Sequence, residues 1–302
     1  MTVQEEGIFG MGKFGKLAIG AVLLTGAAAM VQPLSAKAPA RASAGHVANP
    51  ATIGGHPNLN GIWQAIDGAD NGLEPHSAET SPGPKSEREL GAIAAIPASL
   101  GFVEGGTIPY KSDMKKTRDA NMMAGPSKDP EANCYLPGIP RATYARGLPF
   151  QIIQGGGDIL MAYEYDSANR VIAMGPVGVP PIDTWMGTSY GKWEGNTLVV
   201  TTLAQNGETW LDRTGDFLTN GATVTERFML KDHDHMDYTA EIQDPSVFTK
   251  PWTIHMTLYR RVEPNAQILE FKCVPFAEMH LYGDLYDTMD AKARERLGLD
   301  KQ

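Results

Sequence analysis

The chain is poor in several things, and each shortage excludes something. It has only two cysteines in 302 residues, so neither a cysteine-rich scaffold nor a Cys-x-x-Cys metal or redox site is available. Positive charge is scarce: 26 Lys plus Arg face 35 Asp plus Glu, a net charge of −9, and no stretch carries a dense Lys/Arg run. A grip on nucleic acid through phosphates is thereby set aside. No apolar run reaches the roughly 20 residues that a membrane helix needs. What the chain does have in quantity is Gly (33) and Pro (21), together about 18% against a usual share of about 12%. Both interrupt helices, so a long helical bundle is disfavoured as well.

The first forty residues read as an address. Lys13 and Lys16 precede an apolar run from Leu17 to Val31, then come Pro33 and the small-residue stretch Leu34-Ser35-Ala36-Lys37-Ala38. This is the charged, apolar, small-residue layout of a secretory signal, with cleavage expected after Ala36. The segments expected are thus 1–36 as signal peptide, 37–57 as flexible linker and 58–302 as one domain, with a periplasmic or secreted destination and no stable membrane span. Export changes how Cys134 and Cys273 read, because an oxidising compartment favours a bridge. Two inert buried thiols or a reactive one are the alternatives. A bridge across 139 positions would stabilise by up to about 5 kcal/mol in the chain-entropy account.

From Leu148 onward, short β-rich runs recur between turn residues: 151–154, 159–165, 170–174, 184–193, 197–205, 223–230, 238–243 and 252–261. Runs at 61–66 and 268–273 bring the expected count to nine or ten. The Gly-rich 155–157 and the Glu194-Gly195-Asn196 triplet are hairpin signals. Such spacing predicts a mainly β protein built as an antiparallel barrel or sandwich. Residues 67–147 form a partly helical insertion, with helices expected near 86–96 and 111–123, and 287–299 reads as a terminal helix. Gly61-x-Trp63 on the first strand, with Arg260 or Arg261 on a late one, suits a barrel closed at its base by an Arg lying across a Trp ring.

Several motifs, taken in order, carry a resemblance. Asn58-Leu59-Asn60-Gly61-Ile62-Trp63, Asp129 to Arg141, Thr184-Trp185-Met186-Gly187, Trp193 to Val200, Trp210-Leu211-Asp212-Arg213, Glu226-Arg227-Phe228 and Asp244-Pro245 with Pro251-Trp252 resemble a large family of exported bacterial proteins. The resemblance implies an antiparallel up-and-down barrel of the calycin or lipocalin type and brings no activity with it. The chain departs from that pattern at Thr219 and Asn220, where similar sequences often carry a His. It departs again after Cys273, where Val274-Pro275-Phe276-Ala277 replaces a His-Glu-Gly-Asn run.

The chemistry is less legible. Asp232-His233-Asp234-His235 sits at a predicted hairpin tip, where successive side chains point to opposite sides, so no metal site is expected. No nucleophile elbow is present and Gly155-Gly156-Gly157 is not followed by a helix, so neither a serine hydrolase nor a phosphate cradle is indicated. Nothing points to a cofactor. The remaining candidates are polar residues on strands and loops. Glu226, Glu241, His255 and Asp212 would supply acid–base chemistry, and Tyr163, Tyr165, Trp185, Trp210 and Arg213 would line a pocket. The leading expectation is a barrel that binds a small apolar or aromatic molecule. A cofactor-independent isomerase, lyase or hydrolase and a structural envelope protein are the alternatives. The face of the strands carrying Glu226, Glu241 and His255 distinguishes them.

Overall fold

The computed structural model describes residues 51–89 and 91–274. The signal-like segment 1–36 and the expected helix at 287–299 lie outside the described residues. Eleven strands run β1 (Thr52–Ile53), β2 (His56–Pro57), β3 (Gly61–Gln64), β4 (Phe150–Gln154), β5 (Ile159–Tyr163), β6 (Asn169–Met174), β7 (Thr188–Glu194), β8 (Thr197–Leu203), β9 (Thr223–Leu230), β10 (His235–Gln243) and β11 (Trp252–Arg260). β1 and β2 pair with each other within the stretch read as linker, and His56 stacks flat on Trp193 with ring centres 4.6 Å apart. The other nine close into a barrel in the order of the sequence, β11 returning to β3.

Alternation explains the wall. Along β9, β10 and β11, every second residue is buried: Val224, Glu226 and Phe228, then Met236, Tyr238, Ala240 and Ile242, then Trp252, Ile254, Met256 and Leu258. Those positions face the lumen and their neighbours face outward. The core is therefore the barrel's own interior, completed by Trp63, Phe150, Met161, Tyr163, Ile172, Leu198 and Val200.

The all-antiparallel expectation needs correction. Eight of the nine contacts around the ring are antiparallel, but β6 and β7 run parallel, with Ile172 opposite Ser189. Parity demands such a pair, since strand direction must return to itself around the ring and an odd number of strands cannot all alternate. The chain makes the parallel step through the long connection 175–187 instead of a hairpin turn. The expected strand at 268–273 is also absent: these residues lack regular structure. A closed barrel offers no edge for it, and the Leu269 N–H instead donates to Glu164 Oε2 (3.0 Å).

The barrel's base matches the Gly-x-Trp reading. The Arg260 guanidinium lies 4.2 Å above the centre of the Trp63 ring, and its Nη1 donates to the Asn60 carbonyl at 2.6 Å. Trp63 Nε1 donates to the Leu59 carbonyl at 2.9 Å. Gly61, at φ 144°, leaves no room for a Cβ beside that guanidinium.

The insertion between β3 and β4 contains one helix of some length, Ser112–Ala124, where 111–123 was expected. In place of a helix over 86–96 there is a helical turn at Lys85–Arg88 and a 3₁₀ turn at Gly91–Ala94. Most of the rest is extended or 3₁₀, and it is pinned by the bridge between Cys134 and Cys273, whose Cα atoms stand 5.4 Å apart. Among the described residues no helix is long and apolar enough to cross a membrane.

Candidate functional site

The strands place the four candidate acid–base residues in three different environments. Glu226, on β9 opposite Val200 and Ala240, points inward and is fully buried. Glu241 and His255 are exposed on the outer face of β10 and β11, and the nearest charged partner of His255 is Asp237, 3.7 Å from Nε2. The barrel wall separates both from Glu226. Asp212 lies on the β8–β9 connection, fully buried beneath the insertion.

Inside the lumen Glu226 is one member of a compact polar set. Arg170 Nη1 on β6 donates to Glu226 Oε2 at 2.7 Å, and the Tyr238 hydroxyl on β10 donates to Glu226 Oε1 at 2.8 Å. Ser189 and Thr202 share a hydrogen bond of 2.9 Å, and each hydroxyl lies 3.5 Å from Arg170 Nη1. Burial works against the charge of Arg170 but the Glu226 carboxyl outweighs it, so Arg170 stays charged, while burial pushes Tyr163 up to about 12 against the pull of Arg170. Open recesses among the described residues include two. One, of about 310 Å³, is bordered by Glu164, Arg261, Glu263 and Leu269; the other, of about 120 Å³, by Asp244, Phe248 and Lys250. Neither includes an inward side chain of the barrel. β6 and β9, separated in the ring by β7 and β8, are thus joined through the lumen by a buried ion pair.

A second polar system lies under the insertion. Arg141, fully buried, forms paired bonds to Asp129 (Nη1 to Oδ1 2.8 Å, Nη2 to Oδ2 2.7 Å) and donates from Nε to Asp70 Oδ1 at 2.8 Å. Its Nη2 also stands 2.5 Å from Glu131 Oε2, while Glu131 Oε1 takes Arg146 Nε at 2.6 Å. Nearby, Asp216 Oδ1 accepts from the Tyr110 hydroxyl (2.8 Å) and Arg118 Nε (3.2 Å). The Thr214 hydroxyl stands between the Asp212 and Asp216 carboxyl groups, 2.9 and 3.3 Å from them. Asp212 also accepts from the backbone N–H groups of Thr214 (2.9 Å) and Leu73 (2.8 Å). Burial and then the Asp216 carboxyl push Asp212 up to about 8. Burial pushes Glu131 up to about 7; Arg141 opposes that rise, while Asp70 and Asp129 add to it.

Comparison with protein-family profiles, curated proteins and solved structures found no match. The site therefore has to be read from its own residues.

The five residues expected to line one pocket do not converge. Tyr163 is in the lumen, and Tyr165 is buried under the insertion with its hydroxyl on the Glu131 carbonyl at 2.8 Å. Trp210 is buried, and its carbonyl accepts from the Thr209 hydroxyl at 3.1 Å. The Arg213 N–H donates to the Asp70 carbonyl at 2.9 Å. Trp185 alone joins an aromatic surface: Tyr135, 50% exposed, stacks on it with centres 4.7 Å apart and planes 15° apart. That pair is held from behind. Thr209 Oγ1 donates to the Pro137 carbonyl at 2.6 Å, and the Gln205 amide clasps both the N–H and the carbonyl of Ile139 at 2.7 and 2.8 Å. The loop that carries Trp185 also exposes Val177, Val179 and Ile182.

Sequence reasoning passed over Arg141, Asp70 and Asp216. The signals were present: Asp129-x-Glu131 ten residues before Arg141 on either side of a Cys, and the alternation Asp212-x-Thr214-x-Asp216 in a loop. At the hairpin tip, His235 Nδ1 lies 2.8 Å from Asp232 and His233 Nδ1 lies 2.5 Å from Asp234, short contacts that belong to the turn itself. No group of metal-ligating side chains occurs among the described residues.

Proposed function

We propose that the protein is an exported, lipocalin-like barrel that binds a small aromatic or apolar molecule, and that it does so on the stacked Tyr135–Trp185 pair outside the lumen. The observation that carries this reading is the contrast between a lumen occupied by its own side chains and an exposed, rigidly backed aromatic face. An aromatic ligand stacked on the free face of Tyr135 would gain area burial and ring–ring attraction of about 0.5–1.5 kcal/mol per pair. Export is supported by the signal-like layout of residues 13–38 and by the Cys134–Cys273 bridge, which an oxidising compartment sustains. The lipocalin-like reading is supported by the closed barrel and by Arg260 across Trp63.

The test is calorimetric titration of the purified protein with indole and 2-naphthol, alongside native mass spectrometry of material taken from the periplasm. Saturable binding that weakens at least tenfold in Tyr135→Ala and in Trp185→Ala is the expected result. Absence of any retained ligand together with absence of binding by both probes would overturn the reading in favour of a structural envelope role. Undiminished binding in both variants would overturn the location.

A further inference from the structure

Two buried groups of charges lie under the insertion, and in each the carboxyl groups outnumber the guanidinium groups bonded to them; the first joins stretches of the insertion to one another, and the second joins its helix to the β8–β9 connection. In the first, Asp70, Asp129 and Glu131 bond to Arg141 and Arg146, with Arg213 acting on Asp70 from further away and Tyr165 beside Glu131. In the second, Arg118 bonds to Asp216 and acts on Asp212 from further away, with the hydroxyls of Tyr110 and Tyr144 packed nearby. The groups join separate stretches of chain: the start of the insertion, the Ser112–Ala124 helix, the 129–141 loop that carries Tyr135, and the β8–β9 connection. The loop itself is closed at its two ends by Arg141 on Asp129.

We infer that these clusters form a proton-locked clasp: a proton held between Asp212 and Asp216 keeps the Ser112–Ala124 helix and the 129–141 loop docked on the β8–β9 connection, and its loss loosens them. The consequence for ligand at Tyr135 rests on the binding reading above; the clasp itself does not. Two carboxylates facing each other across one hydroxyl, out of water, cannot both ionise without strong repulsion, and a single guanidinium offsets only one of them. The elevated titration of Asp212 and Glu131 agrees with this count. Both carboxyls titrate higher in the folded protein than in the unfolded chain. Their contribution is therefore complete at acid pH and is lost as pH rises through about 7 for Glu131 and about 8 for Asp212.

Asp216→Asn separates this idea from simple damage. The amide oxygen keeps the bonds from Tyr110 and Arg118, while the NH₂ takes the place of Oδ2 and donates toward Asp212. The pair then carries the same single negative charge it carries with a shared proton, and no titratable proton remains between the two residues. Hydrogen exchange is measured on the full mature protein at pH ~6 and ~9, corrected for intrinsic rates, with β9 and β10 as internal reference. Wild-type protection over 112–124 and 129–141 should fall at least threefold relative to the reference strands at the higher pH, and in Asp216→Asn that relative change should vanish. Tyr110→Phe, which removes one donor that stabilises the ionised pair, should move the loosening to higher pH; it serves where Asp216→Asn does not fold. Equal pH response of the clasp segments and the reference strands, an unchanged response in Asp216→Asn, or an unmoved midpoint in Tyr110→Phe would each overturn the proposal. Indole titrations on the same samples keep the two readings apart. Loosening without indole binding at either pH sinks only the binding reading, and indole binding without loosening sinks only the clasp.

Discussion

The two buried ionic systems of this protein differ in their charge balance. In the lumen, one guanidinium meets one carboxylate, Arg170 on Glu226; the Tyr238 hydroxyl donates to the carboxylate, and the Ser189 and Thr202 hydroxyls accept from the guanidinium. Under the insertion, five carboxyl groups are gathered with three guanidinium groups, and only four of the five bond to one; Asp212 is held by the Thr214 hydroxyl and by backbone N–H groups instead. A balanced pair is brittle, because taking away either partner strands a charge in low dielectric. An unbalanced group is adjustable, because a proton can make up the difference. The first suits a permanent tie across a lumen, the second a fastening that responds to the surroundings.

The comparison can be broken most forcefully from the lumen side. Glu226→Gln leaves Arg170 charged and unpaired, and should cost about 3–5 kcal/mol in urea unfolding, whereas Arg170→Met together with Glu226→Gln should recover most of that loss. A single variant costing under about 1 kcal/mol would show that the lumen pair is hydrated and does not tie the wall. Next in size is the bridge. Cys134→Ser with Cys273→Ser should lower stability by about 2–5 kcal/mol and loosen the 129–141 loop more than any barrel strand, read by hydrogen exchange. Arg260→Ala removes the cation over Trp63 and should cost about 1–2 kcal/mol, with Trp63 more accessible to iodide quenching. Smallest of all, Glu241→Ala and His255→Ala should each change stability by no more than about 0.5 kcal/mol, since both are exposed on the outer face. A large effect at either would show that the outer wall of β10 and β11 is covered by something in solution.

The sequence spoke clearly wherever a feature is local. Alternation divided β9 to β11 into two faces, glycines marked the turns after β4 and β7, and Gly61-x-Trp63 pointed to Arg260 or Arg261 across some 200 positions because the motif carries its own packing logic. It was silent on neighbourhood. The pattern of Asn169–Met174 says strand but not that its next neighbour runs parallel, and 268–273 reads as a strand although no edge remains for it. The carboxyl clusters were invisible for a related reason. Arg141 meets Asp70 across 71 positions and Arg118 meets Asp216 across 98, so no window on the chain holds both charges. Trp185 was readable as a candidate, but its stacking partner Tyr135, beside a bridged cysteine, was not.

Nine is an odd number, and that constrains how this barrel can vary. Duplicating or deleting a hairpin changes the strand count by two and leaves its parity alone, so any such descendant must keep a parallel neighbour pair somewhere around the ring. The connection 175–187 is then a topological fixture, free to change its residues and its length but not to shrink into a tight turn. A new pair of ends opened there would convert the sheet into a simple meander from β7 round to β6, with the parallel contact as its only seam.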